Sequence, residues 1–283
     1  MSPKTTSMVC ALLAAVCFAL LDAVTKELTQ HISVLQTVWA RFTGQAVLVC
    51  LLVLPRLRRT LRTNFPEIHL ARSIFLLVAT GSYYVSLSKI GLFQATALIN
   101  IYPLVLPLAA LVFLGGSLGA KSWLAIFVAC AAAGVMIGQG PDGFVLYAIL
   151  PLIAAVCHTG YSLLTKMIAS REDPWTSLMY SMILGAVILS AIMPIHWEPI
   201  DGKIALMMGA MAVLGTSAQM LIIQIWTLGQ SDEMPPTAFL GTALAFIIGY
   251  QFFGEMPDLI TIASTVVIVV AGIYVWRESI KRS

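Results

Sequence analysis

Charge is what this sequence has least of. Only 10% of its 283 residues are Asp, Glu, Lys or Arg, against roughly 25% in a typical soluble domain. Cysteine is sparse and unpatterned: Cys10, Cys17, Cys50, Cys130 and Cys157 are odd in number and show no CxxC spacing. Neither a disulfide framework nor a zinc site is therefore expected. A net charge of +3 is too small for a phosphate-backbone footprint, so a nucleic-acid partner is excluded. Long polar linkers are missing as well. The longest connection runs from Pro55 to Leu70, with Arg56, Arg58, Arg59 and Arg62 in it, and cannot house a soluble domain.

Catalytic signatures are equally scarce. No H-E-x-x-H or G-x-S-x-G is present. Gly115–Ser122 departs from a P-loop at Ala120, where the second required glycine should stand, and it lies between two apolar runs instead of after a strand. An intramembrane enzyme would need a nucleophile and base, and only His158 with Ser162 offers a beginning. The expectation is a chain that is not an enzyme, with no cofactor and no metal.

Apolar length is what remains. Hydrophobic residues make up 59% of the chain and the mean hydropathy is +0.93. A helix needs about 20 apolar residues to cross about 30 Å of hydrocarbon. Reading apolar runs between Pro, Gly and charge clusters predicts ten spans, at roughly 8–28, 33–54, 71–90, 93–114, 122–139, 144–167, 175–195, 203–228, 234–253 and 258–276. The stretch from Met8 to Leu28 exceeds the roughly 7–15 residues of a signal-peptide core, so it reads as the first span.

Lys and Arg in short loops set orientation, because positive flanks stay in the cytoplasm. With the N-terminus inside, twelve cationic residues fall on the inner side (Lys4, Arg56, Arg58, Arg59, Arg62, Arg72, Lys121, Lys166, Arg171, Arg277, Lys281, Arg282) and three on the outer (Lys26, Lys89, Lys203). An inner membrane with both termini cytoplasmic is expected.

The two halves resemble each other. Residues 14–26 read AAVCFALLDAVTK and residues 154–166 read AAVCHTGYSLLTK, with six of thirteen positions identical. The next spans end in LVLP at Pro55 and AIMP at Pro194, and Phe113-Leu114-Gly115 aligns with Phe252-Phe253-Gly254. A steady offset across five spans implies duplication. Five is odd, so the second copy must cross the bilayer upside down, an arrangement used by secondary transporters. The fold class expected is an all-α membrane protein of ten transmembrane helices in two inverted five-helix repeats, residues 1–140 and 141–283.

The chain resembles the drug/metabolite transporter superfamily, EamA type. The residues that carry the resemblance are Trp39-Ala40-Arg41-Phe42, Ala95 through Pro103 (ATALINIYP), Phe113-Leu114-Gly115, Phe253-Gly254-Glu255 and Ala271-Gly272. One departure is Gly116, where the first unit's leucine-glycine-glutamate pattern has its acid. The resemblance implies alternating access and a cavity among helices 1, 3, 4, 6, 8 and 9. Amino acids or similar zwitterions are the favoured cargo, by export or exchange. Organic carboxylates or vitamin- or nucleotide-like metabolites are the alternative, and a channel is a further rival.

Ionisable groups inside hydrocarbon are costly and usually face a partner or a pathway. At 1.5 Å per residue, Arg41 and Asp22 lie about 4 Å and about 6 Å from the centres of their helices, at nearly the same depth. The two are therefore expected to interact, with Lys26 joining Asp22 on one face at i,i+4. Two readings stay open: a structural brace between helices 1 and 2, or an Arg41 or Lys26 that attracts a substrate carboxylate. Tyr83, Asn100, Tyr102, His158, Tyr161, Ser162, Gln219 and Thr242 are further candidate contacts. His158 could equally be a satisfied core residue, and the aromatics could equally be packing. Trp226 is expected at the interface, Lys166 to snorkel, and Gly134 with Gly138 to mark close helix packing. Expected partners are a small-molecule solute and the lipid bilayer; a monomer is compatible with this reading.

Overall fold

The computed structural model describes residues 3–114, 118–138, 144–228 and 234–280. The first residues of the P-loop-like segment, Gly116 among them, and Lys281 and Arg282 lie outside the described residues. All regular elements among the described residues are helical: α1 (Pro3–Leu28), α2 (Val34–Val53), the short α3 (Leu57–Thr60), α4 (Pro66–Leu87), α5 (Leu92–Ile99), α6 (Tyr102–Leu114), α7 (Ala120–Gly138), α8 (Phe144–Ile168), α9 (Pro174–Ile192), α10 (Gly202–Thr227), α11 (Met234–Phe253) and α12 (Leu259–Ile280). Among the described residues nine helices are long and apolar enough to cross a bilayer, and α11 adds a shorter apolar stretch, Phe239–Phe253. The chain is a multi-pass membrane protein.

Local chemistry fixes where these helices start. Ser33 accepts a bond from Gln36 N (3.3 Å), Asp173 from Trp175 N (2.7 Å), Asp201 from Ile204 N (2.7 Å) and Asp258 from Thr261 N (2.9 Å). Each satisfies a backbone donor that the first turn leaves open. At exposed Asp258 the Thr261 hydroxyl, with the Thr261 backbone N–H, also holds the carboxyl below the usual carboxylate range. Pro66 and Pro174 occupy first-turn positions, where a missing N–H costs nothing.

Two boundaries differ from expectation. The helix expected from 71 begins at Pro66, preceded by a 3-10 turn at Leu54–Arg56 and by α3. The single helix expected over 93–114 is broken into α5 and α6 at Asn100 and Ile101. Pro103 has no N–H to return to the carbonyl of Ile99, so the α-helical ladder stops there. Broken backbone at membrane depth is tolerated where protein or a cavity satisfies it.

The inverted duplication is visible in which helices touch. α1 packs on α10 and α11, and correspondingly α8 packs on α4 and on α5–α6. The pairs α2·α9, α7·α12 and α5·α11 each map onto themselves when the two copies are exchanged. Main neighbours thus belong to opposite repeats. Two mixed bundles result, α1, α2, α10 and α11 against α4, α5, α6, α8 and α9, meeting along one seam.

Glycines permit the closest approaches. A Cβ on Gly44 of α2 would sit 2.9 Å from Ala212 Cβ of α10, and one on Gly185 of α9 would run into the ring of Phe42. Gly134 and Gly138 instead meet nothing within 4 Å, so the close packing expected of them is not found. Overpacking costs about 1–3 kcal/mol. Gly44→Val and Gly185→Leu are expected to lower the thermal midpoint in detergent, read by scanning fluorimetry. Gly81→Ala, whose Cβ meets nothing within 4 Å, is expected to keep or slightly raise it.

Candidate functional site in the seam between the bundles

A cavity of ≈ 150 Å³ lies in the seam. One wall comes from α1 (Ala11, Ala14, Ala15, Phe18, Ala19, Asp22), α2 (Arg41), α10 (Gln219, Ile222) and α11 (Gly241). The other comes from α4 (Leu76, Ala79, Thr80, Tyr83), the broken span (Thr96, Ile99, Asn100, Tyr102) and α8 (His158). Alanine every three to four residues along α1 keeps that wall thin.

The polar residues of the site bond across the seam. Tyr83 Oη donates to Asp22 Oδ2 (2.9 Å) and meets Thr96 Oγ1 (3.1 Å). Arg41 donates from Nη1 to Tyr84 Oη (2.9 Å) and lies 5.4 Å from that ring. Asn100, at the helix break, donates from Nδ2 to Thr242 Oγ1 of α11 (2.5 Å). Gln219 donates from Nε2 to Tyr161 Oη (2.6 Å). Two buried atoms on the cavity wall have no protein partner: Arg41 Nε and Gln219 Oε1. His158 presents its ring edge-on to Tyr102, centroids 5.2 Å apart, with Tyr161 behind it at 6.0 Å.

Of the residues singled out from sequence, the structure brings Tyr83, Asn100, Tyr102, His158, Gln219, Arg41 and Asp22 to one cavity. Tyr161 and Thr242 stand behind it as partners of lining residues, and Ser162 is buried beside them without lining the cavity. The charges pair differently from expectation. Asp22 and Arg41 line the same cavity and interact through their charges, as expected, but they make no salt bridge: adjacent Tyr83 and Tyr84 receive them separately. Lys26 leaves Asp22 for Glu255, Nζ to Oε1 2.5 Å. Trp226 is 6% exposed, not an interfacial anchor, and the exposed Lys166 lies over it at 5.9 Å.

Sequence reasoning missed Arg72. Taken as a loop charge, it is fully buried because α4 starts five residues earlier. Its guanidinium donates to Thr165 Oγ1 (3.0 Å), His69 Nδ1 (3.0 Å) and Tyr161 Oη (3.3 Å). Since arginine only donates, the His69 proton lies on Nε2, facing Glu172 Oε2 at 3.3 Å. Thr63 closes the chain on Glu172. This network holds the Tyr161 hydroxyl where Gln219 meets it. The planar fork reaches three acceptors that one ammonium cannot match. Arg72→Lys is therefore expected to destabilise by about 1–3 kcal/mol, lowering the thermal midpoint.

Comparison with known proteins agrees with this architecture. The sequence profile of the EamA-like transporter family matches twice, over residues 5–138 and 145–277. The chain is 27% identical over 279 residues to a riboflavin transporter of Rhizobium johnstonii, covering 95% of this chain and 90% of that protein. It is 23% identical to the pseudopaline exporter CntI of Pseudomonas aeruginosa (94% of each chain). It is also 23% identical to an S-adenosylmethionine uptake transporter of Rickettsia felis (90% and 86%). A solved structure at 15% identity superposes with a TM-score of 0.66, over 98% of this chain and 97% of its own, which shows the shared fold. With the family matched once in each half of an all-helical, membrane-spanning chain, the protein is a small-molecule transporter, not an enzyme, and belongs to the EamA-like transporter family.

Proposed function

We propose that the protein is a secondary carrier that exposes the seam cavity to one side of the membrane at a time, as the two mixed bundles rock about it. The observation that carries this reading is the set of cross-seam hydrogen bonds around a cavity with two unpartnered buried groups. Bonds between the bundles can be exchanged for bonds to a solute, so binding and bundle movement share the same atoms. Arg41 Nε is a charged donor suited to a carboxylate. Gln219 Oε1 is an acceptor suited to an N–H group, and the Asp22 carboxyl adds a second acceptor. That polarity favours an amino acid or a similar zwitterion. Volume agrees: an apolar cavity of about 150 Å³ holds benzene, whereas drug-sized ligands occupy about 300–1,000 Å³.

A vitamin-like heteroaromatic solute is the second reading. It is favoured by the riboflavin transporter among the relatives and by the Phe18, Tyr83, Tyr102 and His158 rings on the cavity wall. In both readings residues 1–140 and 141–283 are the two repeats. With the buried Arg72 set aside, eleven cationic residues on the inner side against three on the outer support termini in the cytoplasm of an inner-membrane protein, and export or exchange is the mode.

Counterflow in proteoliposomes tests the proposal, preceded by a thermal-shift screen of amino acids, organic acids, vitamins and nucleosides. An amino acid that raises the midpoint should also drive uptake when loaded on the opposite side. Riboflavin alone doing so would establish the second reading, and uptake indifferent to the opposite-side solute would mark a channel. Arg41→Met and Asp22→Asn are expected to cut exchange at least about tenfold, equivalent to ~1.4 kcal/mol of binding, while eluting as folded protein. Failure of both to fold would instead make these charges a structural brace.

A further inference from the structure

At the end of the bundles where α1 finishes and α5 starts, Lys26 and Glu255 form an ion pair (2.5 Å) with side chains only 11% and 21% exposed. Both residues belong to the same bundle, Lys26 on α1 and Glu255 just after α11. Each also reaches across the seam. Lys26 Nζ donates to the carbonyl of Ile90 (2.9 Å), and Glu255 Oε2 accepts from Leu92 N (2.7 Å). Together they grip the Ile90–Leu92 backbone, the turn that launches α5.

Local sequence builds the grip. Gly254 has φ +63, the left-handed conformation that glycine tolerates best. It turns the chain back, and Glu255 N donates to Gly249 O (3.0 Å). Gly249 and Gly91 leave room for the carboxylate: a Cβ on either would lie 3.1 or 3.2 Å from Glu255 Oε2. Gly91, the N-cap residue of α5, has no side chain with which to cap it. Glu255 supplies the missing anion from the opposite bundle, where the helix dipole favours negative charge. α5 carries Thr96 and Ile99 into the cavity wall and ends at Asn100.

We propose that the Lys26–Glu255 pair is the latch that closes this end of the cavity and positions α5. The proposal rests on the alternating-access reading above. Its physical merit is that release is inexpensive. Of the pair's own contacts, parting the bundles breaks the two bonds to Ile90 O and Leu92 N, which water at the bundle end replaces. The ion pair itself stays intact within its bundle, so no buried charge is ever left alone, the outcome that makes breaking such pairs costly.

The test is pulsed electron–electron distance measurement on full-length protein in nanodiscs, in a background without native cysteines. One nitroxide pair, at the exposed positions Lys89 and Met256, reports on this end, and a second, at the exposed Arg171 and Leu228, on the opposite end. Glu255→Ala and Lys26→Met are each expected to raise the open-to-closed ratio at the first pair about tenfold or more, with matching shortening at the second. Unchanged distances at the first pair in folded variants would overturn the latch. If only one variant folds, it decides. If neither folds, the pair is a structural strut and the proposal fails. Opening at the first pair with no response at the second would leave the latch standing and refute alternating access instead. The measurement needs no solute, so it is independent of what the cavity binds.

Discussion

A polar group in hydrocarbon must find a partner in the protein, and the rest of this structure depends on how that requirement is met. Asp22, Arg41, Asn100 and Gln219 cannot be satisfied within their own helices. Each turns to a hydroxyl on the facing bundle: Tyr83, Tyr84, Thr242 and Tyr161. Side chains of this kind tie the two bundles together across the seam. They are also the groups a polar solute would compete for. Cohesion of the fold and capacity for a ligand thus arise from the same few bonds.

Interleaving of the repeats follows from the same economy. Lipid tails are as apolar as leucine, so association inside the bilayer relies on close packing and hydrogen bonds more than on hydrophobic burial. Small residues let α2 approach α9 and α10, at Gly185 and Gly44. Because α1 prefers α10 and α11, and α8 prefers α4 and α5–α6, neither repeat is a body on its own. The two bundles are mixtures of both. Arg72 stiffens one of them by tying α4 to α8 through Thr165 and Tyr161.

Much of this was legible in the residues. The steady offset between AAVCFALLDAVTK and AAVCHTGYSLLTK announced the duplication, and five spans per copy required the inversion. Seven of the singled-out polar and aromatic residues meet at one cavity, since ionisable and amide groups are kept in an apolar run only where a partner awaits them. Arg72 was misread because a helix start is uncertain by a few residues, and five residues separate a loop charge from a buried one. Glu255 was visible as an acid after Phe253-Gly254, but nothing in its spacing named Lys26 and Leu92 as its partners.

Composition and periodicity by themselves determined a membrane protein, its ten spans and their inverted duplication, because solvation in lipid constrains every residue of a span in the same way. What only the tertiary structure decided is azimuth and neighbourhood. Asp22 and Arg41 line one cavity yet bond to different tyrosines of α4, and Lys26 turns from Asp22 to an acid 229 positions along the chain. A helix fixes height along its axis from local bonds alone, whereas the direction its side chains face is settled by packing among residues distant in sequence.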